Sequence, residues 1–193
     1  MSILMRSALL AFVCFFLGAC TIRQTVESDY PQYLAKNVRE SKLPSTDKAR
    51  HYFLPPQTRS FSYEFRSFLT GASNLWIIEF GKMLEDTLKS ADVQTAFGTL
   101  TAVDSASGAD ATLVFELRDY SFADFGAHIS LNVKLMNAGA VTFEKAYTQA
   151  GKAQGGKMFL GGYFAQKNAV QQSTKLAMDE ILRRLIVDLN ELR

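Results

Sequence analysis

The chain has 193 residues but only two cysteines, Cys14 and Cys20, both near its start. So few, in one short segment, cannot form a disulfide framework or a Cys-based zinc site. Excess charge is also missing: 21 Lys plus Arg stand against 19 Asp plus Glu, mixed along the chain, for a net +2. That balance lacks the basic stripe on which nucleic-acid binding relies. The only histidines, His51 and His128, sit in separate segments without an H-x-x-H or H-E-x-x-H partner. Zinc ligation or nucleophilic catalysis would need a more convergent set. Long apolar runs are absent as well. The longest, Ser7 to Ala19, is 13 residues, short of the roughly 20 that cross a bilayer. What remains is ordinary globular composition, 48% hydrophobic and 21% charged, long enough for one domain with a real core.

The N-terminus departs from this plain picture. Met1 to Arg6 carries one positive charge, the apolar run follows, and Leu17-Gly18-Ala19 stands directly before Cys20. A charged start, a short apolar stretch and small residues describe a secretory signal rather than a core helix. The last four residues resemble the bacterial lipoprotein box. In that family the cysteine thiol is diacylated, the chain is cut just before it, and the new amine is acylated. The resemblance implies lipidation at Cys20 and loss of residues 1–19, Cys14 included. Two or more acyl chains anchor stably where one does not, at about 0.8 kcal/mol per buried methylene. Thr21 stands where an Asp would retain an enteric-type lipoprotein in the inner membrane, so the same resemblance points to the outer membrane.

Residues 20–50 are polar, mixed in charge and interrupted by Pro31 and Pro44. They read as an acylated N-terminus and tether, with a short helix around Gln32 to Arg39 and with Tyr30 and Tyr33 exposed or interfacial. The folded domain is expected over 51–193. "HYFLPPQ" is a short strand closed by its prolines, and Phe61, Tyr63 and Phe65 alternate with polar residues as a half-buried strand. Ser73 is placed to cap a helix through Leu75, Ile78, Met83 and Leu84 to about Ser90. "AFGTLTAV" reads as a short strand. Strict alternation in "ATLVFELRDY" and "HISLNVKLM", a turn at "NAGA" and a third strand to about Thr148 give an antiparallel meander. From Gln166 to Leu192 the period is helical, with Val170, Ser173, Ala177, Ile181, Leu185 and Leu189 in one stripe. The expected fold is α+β: a two-layer domain in which two long amphipathic helices cover one face of the meander.

Few residues invite chemistry. "GKAQGGKM" fits G-x-x-x-x-G-K but places Met158 where a hydroxyl should hold Mg²⁺, and apolar and glycine residues are expected to separate it from the next helix, so nucleotide binding is rejected. Glu116, Asp119 and Asp124 lie close in sequence with no pocket to raise a pKa. No catalytic set, cofactor or metal is expected. The apolar, glycine-rich loop "GGKMFLGGYF" is richer in Met158, Phe159, Leu160, Tyr163 and Phe164 than an exposed loop should be. Either these fold over the end of the core, or they form a contact patch for a protein partner or a lipid chain.

The order of strand, "LWIIEFGKMLEDTLKSA", "ADATLVFELRDYSF", "AHISLNVKLMNAGAVTFEKAYT" and "NAVQQSTKLAMDEILRRLIVDL" resembles the ABC-transport auxiliary or YajG-like periplasmic lipoproteins over roughly Arg50 to Arg193. The resemblance implies a non-enzymatic accessory lipoprotein of a lipid-transport or envelope-assembly system, on the periplasmic face of the outer membrane. A self-assembling lipoprotein subunit of a secretion pore or surface appendage is the other reading that an acylated α+β body allows.

Overall fold

A computed structural model describes residues 21–37, 42–67, 71, 73–108 and 110–192, apart from the side chains of Lys157, Phe159, Leu160 and Tyr163. The lipidation candidate Cys20 therefore lies outside the described residues. In chain order the elements are β1 (Ile22–Thr25), a 3-10 turn (Glu27–Asp29), α1 (Tyr30–Lys36), β2 (His51–Phe53), α2 (Pro56–Arg59), β3 (Tyr63–Arg66) and β4 (Asn74–Ile78). Then come α3 (Phe80–Lys89), α4 (Ala91–Phe97), β5 (Thr101–Ala102), β6 (Thr112–Ala123), β7 (Gly126–Asn137), β8 (Ala140–Ala150) and α5 (Gly155–Asn190). The fold is α+β, with one sheet in the order β5-β2-β6-β7-β8 and another in the order β1-β4-β3.

The meander forms as its alternation requires. β6 pairs antiparallel with β7, and β7 with β8. Ala138 and Gly139 both take positive φ in the turn between the last two, as a two-residue hairpin that matches strand twist demands. Leu113 and Phe115 of β6 and Ile129, Leu131 and Val133 of β7 are buried beneath the helices. A register shift between Leu117 and Asp119 inserts one residue in β6. Such a bulge reverses parity, so the buried set continues at Tyr120 and Phe122 instead of 119 and 121. The sheet is nevertheless mixed, not purely antiparallel. β2 ends before its prolines as expected but runs parallel to both β5 and β6, because α2 to α4 carry the chain across between them.

The stretch expected to open a helix at Ser73 is instead β4. Leu75, Trp76, Ile77 and Ile78 form a continuous apolar run, in which aromatic Trp76 and β-branched Ile77 and Ile78 suit a strand better than a helix. β4 pairs antiparallel with β3 and parallel with β1. The helix begins one residue after the strand, at Phe80, where Met83, Leu84 and Leu88 form its buried face. "AFGTLTAV" divides similarly: Ala96 and Phe97 end α4, left-handed Gly98 terminates it, and only Thr101–Ala102 is strand.

Residues 22–36 are not a tether. β1 pairs with β4, and the Gln171 side chain donates to the Val26 carbonyl at 2.9 Å. Val26 and Tyr30 are fully buried in the main core, and Tyr33 is nearly so, stacked on Tyr30 at 6.1 Å. Polar composition concealed this because the anchoring residues are few, and two of them are tyrosines whose hydroxyls mimic a surface. The expected α5 stripe is buried throughout. Beside that stripe Lys175 is buried and pairs with Asp179 at 2.5 Å, near Tyr30 and Tyr33, while Arg183 further along stays exposed.

Candidate functional site

The place where the chain enters the body is built from three converging ends. β1 starts at Ile22, whose N–H donates to the Ser73 carbonyl at 2.9 Å. β3 ends beside it: Arg66 Nη2 donates to Thr21 Oγ1 at 3.5 Å. Ser67 Oγ, one residue further, donates to Gln166 Oε1 of α5 at 3.1 Å. The rings of Phe65 and Phe122 meet at 5.3 Å, bringing the β6–β7 hairpin to the same end. Beyond that hairpin, Gln154 N–H donates to the Phe125 carbonyl at 2.9 Å.

The glycine-rich segment spans the interval from Gln154 to Gln166 at this end. It is helical rather than a loop, broken at Gly162, where φ is 61° and ψ −144°. Only glycine adopts that conformation without strain. Its proposed contact residues divide. Met158, 4% exposed, belongs to the core and cannot offer a contact surface, whereas Phe164 is 81% exposed. The side chains of Phe159, Leu160 and Tyr163 lie outside the described residues. α5 opens at Gly155, so a helix N-terminus does adjoin the "GKAQGGKM" glycines, contrary to the expectation from sequence. Met158 carries a thioether where that motif places the hydroxyl that holds Mg²⁺.

The carboxylates singled out by spacing do not form a common site. Glu116 lies on the outer face of the large sheet, 2.8 Å from Lys134 Nζ and accepting from Asn132 Nδ2 at 3.0 Å. Burial alone would raise its carboxyl, but the hydrogen bonds from Lys134 and Asn132 outweigh it and hold the group below the usual range. Asp119 is exposed, and Asp124 occupies the hairpin turn with φ 49°. His51 Nε2 lies 3.4 Å from Asp110 Oδ2, while exposed His128 opens onto β8. Among the described residues no three His, Cys, Asp or Glu side chains gather as a metal site would require.

Two polar clusters escaped the reading of the sequence because each joins residues far apart in the chain. Asp188 of α5 accepts from Lys145 Nζ at 2.8 Å and from the Tyr147 hydroxyl at 2.5 Å. Burial opposes its ionisation, yet these two donors hold the Asp188 carboxyl low; burial, and then the Asp188 carboxylate, push the Tyr147 hydroxyl up. This cluster ties α5 to β8. At the start of α3, Glu27 and Glu79 face each other, with Lys82 paired to Glu79. A cleft of about 460 Å³ lies between α1 and the α3–α4 corner, lined by Pro31, Leu34, Asp86, Lys89 and Ser90 among others. Burial raises the Asp86 carboxyl there; Asp92 lines the cleft as well, and Lys89 is paired with Glu85.

No family model and no curated protein matches the chain. Among solved structures it is similar to protein XCC0632 from Xanthomonas campestris, of family DUF330, at 16% identity and a TM-score of 0.49, covering 78% of this chain and 92% of that one. No helix among the described residues is long and apolar enough to cross a membrane.

Proposed function

We propose that this chain is a lipoprotein, acylated at Cys20 and held on the periplasmic face of the outer membrane, with its α+β body serving as a non-enzymatic accessory or binding module of an envelope lipid-transport or assembly system. The observation that carries the reading is Leu17-Gly18-Ala19-Cys20 at the close of a 13-residue charge-free run. Several of the body's charged side chains tie elements together, Lys134 to Glu116, Lys145 to Asp188 and Lys167 to Asp29. The test is intact-mass analysis of the native protein beside a Cys20→Ser variant. The expected result is a mature chain starting at Cys20 with three fatty chains, and a Cys20→Ser form that loses them and leaves the membrane fraction. An unmodified sulfur or an uncut N-terminus would overturn the proposal. Cross-linking in cells from Phe164 then identifies the neighbour.

One feature favours the reading as a self-assembling subunit. β8 is an outer strand of the large sheet and eleven residues long, an edge that a neighbouring chain can extend. Size in mild detergent separates the two readings, because a ring runs many times heavier than the 21.5 kDa chain.

A further inference from the structure

We infer that the end of the body formed by Ile22, Arg66, Phe125 and Phe164 lies against the bilayer, so that the protein rests on the lipid surface in one fixed orientation instead of swinging on a leash. This rests on acylation of Cys20 as proposed above. Between Cys20 and β1 there is only Thr21, and Ile22 is already hydrogen-bonded into the sheet. Consecutive Cα atoms are 3.8 Å apart, which puts Ile22 within about 8 Å of the acylated residue. The headgroup region on each side of the hydrocarbon core is roughly 5–8 Å deep. A chain whose glycerol-bearing cysteine sits at that boundary therefore has its first strand residue at the membrane surface, with no spacer to lift the body away.

The side chains at this end suit that position. Ile22, Phe125 and Phe164 are 52%, 36% and 81% exposed, three of the six large exposed hydrophobics among the described residues. They come from three separate elements, brought to one end by the Thr21–Arg66, Ser67–Gln166 and Phe125–Gln154 hydrogen bonds. Phe125 Cδ2 also lies 3.3 Å from where a Cβ on Gly155 would stand, so the hairpin tip overlies the start of α5. Exposed Arg66 and Lys152 at this end can meet lipid phosphates; exposed Asp124 and, two residues from Arg66, Glu64 are acids beside them. Apolar side chains rimmed by cations are the pattern of an interfacial contact. Val141, by contrast, is exposed at the other end of the meander, beside the β7–β8 turn.

The test uses the full acylated chain in vesicles of phosphatidylethanolamine with a minority of phosphatidylglycerol. Phe164→Cys, Lys152→Cys and Val141→Cys, prepared singly and checked for an unchanged melt, each carry an environment-sensitive dye. Lipids with a quencher at the headgroup should extinguish most of the emission at 164 and 152 and none at 141. Equal quenching at all three positions would overturn the fixed orientation while leaving the anchor intact. So would shielding of 164 in cells but not in pure lipid, which would assign this end to a protein neighbour. Intact mass of the same samples reports the anchor separately: an unacylated Cys20 removes both readings.

Discussion

The two sheets of this protein were assembled by opposite means. In the meander of the large one, β6, β7 and β8 follow each other through two-residue turns and pair in sequence order, with β2 added as a remote parallel partner of β6. In the small one, β1 pairs with β4 across about fifty residues, Ile22 with Asn74 and Thr25 with Ile77. Local pairing closes small loops and can form early, while remote pairing waits until the loop-closure entropy is offset by packing elsewhere. The small sheet is thus held less by its own ladder than by what the chain around β1 buries: Val26, Tyr30 and the Phe65–Trp76 stack at 6.4 Å.

The largest effect should come from emptying the N-terminal half of that packing. Tyr30→Ala removes a fully buried ring and the hydroxyl beside Thr87 Oγ1, and large aromatic truncations cost about 3–5 kcal/mol. For a domain of this size that lowers the melting temperature by roughly 6–20 °C. Leu131→Ala in the meander should fall in the same range, about 2–5 kcal/mol. Calorimetry on both compares the sheets directly. A Tyr30→Ala protein melting like the parent would mean that residues 22–36 are a tether after all.

How much could be read beforehand follows from the same contrast. The meander and α5 were legible because period two or 3.6 recurs over many residues, and Gly139 marked the turn. The helix caps and partners at β4 were not. "LWII" is apolar at every position, so it carries no period, and its strand character depends on β1 and β3 lying to either side. Anchoring of residues 22–36 through buried Val26, Tyr30, Tyr33 and Leu34 was hidden, in part because Tyr30 satisfies its hydroxyl against Thr87, fifty-seven positions away. Of the proposed contact patch, Phe164 could be recognised from composition, but Ile22, Arg66 and Phe125 join it only through tertiary contacts.

Two glycines probe where each sheet meets its helices, with somewhat smaller effects. A Cβ at Gly81 would lie 2.1 Å from the Arg59 carbonyl oxygen, and one at Gly151 would lie 2.0 Å from that of Ser173. Both obstacles are backbone, which cannot rotate away, so each Ala variant should lose about 1–3 kcal/mol through forced separation. Gly81→Ala parts α2 from α3 beside the small sheet, and Gly151→Ala parts the end of β8 from α5. Hydrogen exchange should show the loosening confined to the respective side. Protection lost evenly across both sheets would mean that they do not respond separately.

A gain is expected at the β7–β8 turn, where Ala138 takes φ 48°. A left-handed alanine costs roughly 1 kcal/mol, and Asn followed by Gly is the favoured pair for such a turn. Ala138→Asn should therefore stabilise the protein by about 0.5–1 kcal/mol, raising the melt by roughly 2–3 °C. The turn belongs to the large sheet, so the gain should appear as slower exchange in β7 and β8.

The smallest effect is pH-dependent and belongs to the segment joining β1 to α1. Burial raises the Glu27 carboxyl above its ordinary 4.5, and the nearby Glu79 pushes it further. Glu79 is held low by its hydrogen bond from Lys82. The folded protein grips the Glu27 proton more tightly than the unfolded chain does. Stability from this group is therefore full below 4.5 and declines as pH rises through the folded value. Glu27→Gln stays neutral at every pH, so at pH 7 it should melt higher than the parent by roughly 1–2 °C, the scale of a partly exposed site. The difference should shrink to nothing as the pH is lowered towards 3. Glu79→Gln should behave oppositely, since a depressed carboxyl stabilises above 4.5 and loses that contribution on acidification. A Glu27→Gln gain that grew at acid pH would mean that Lys82 acts on Glu27 rather than on Glu79, and that the turn before α1 is fastened by an ion pair instead of merely tolerating a buried acid.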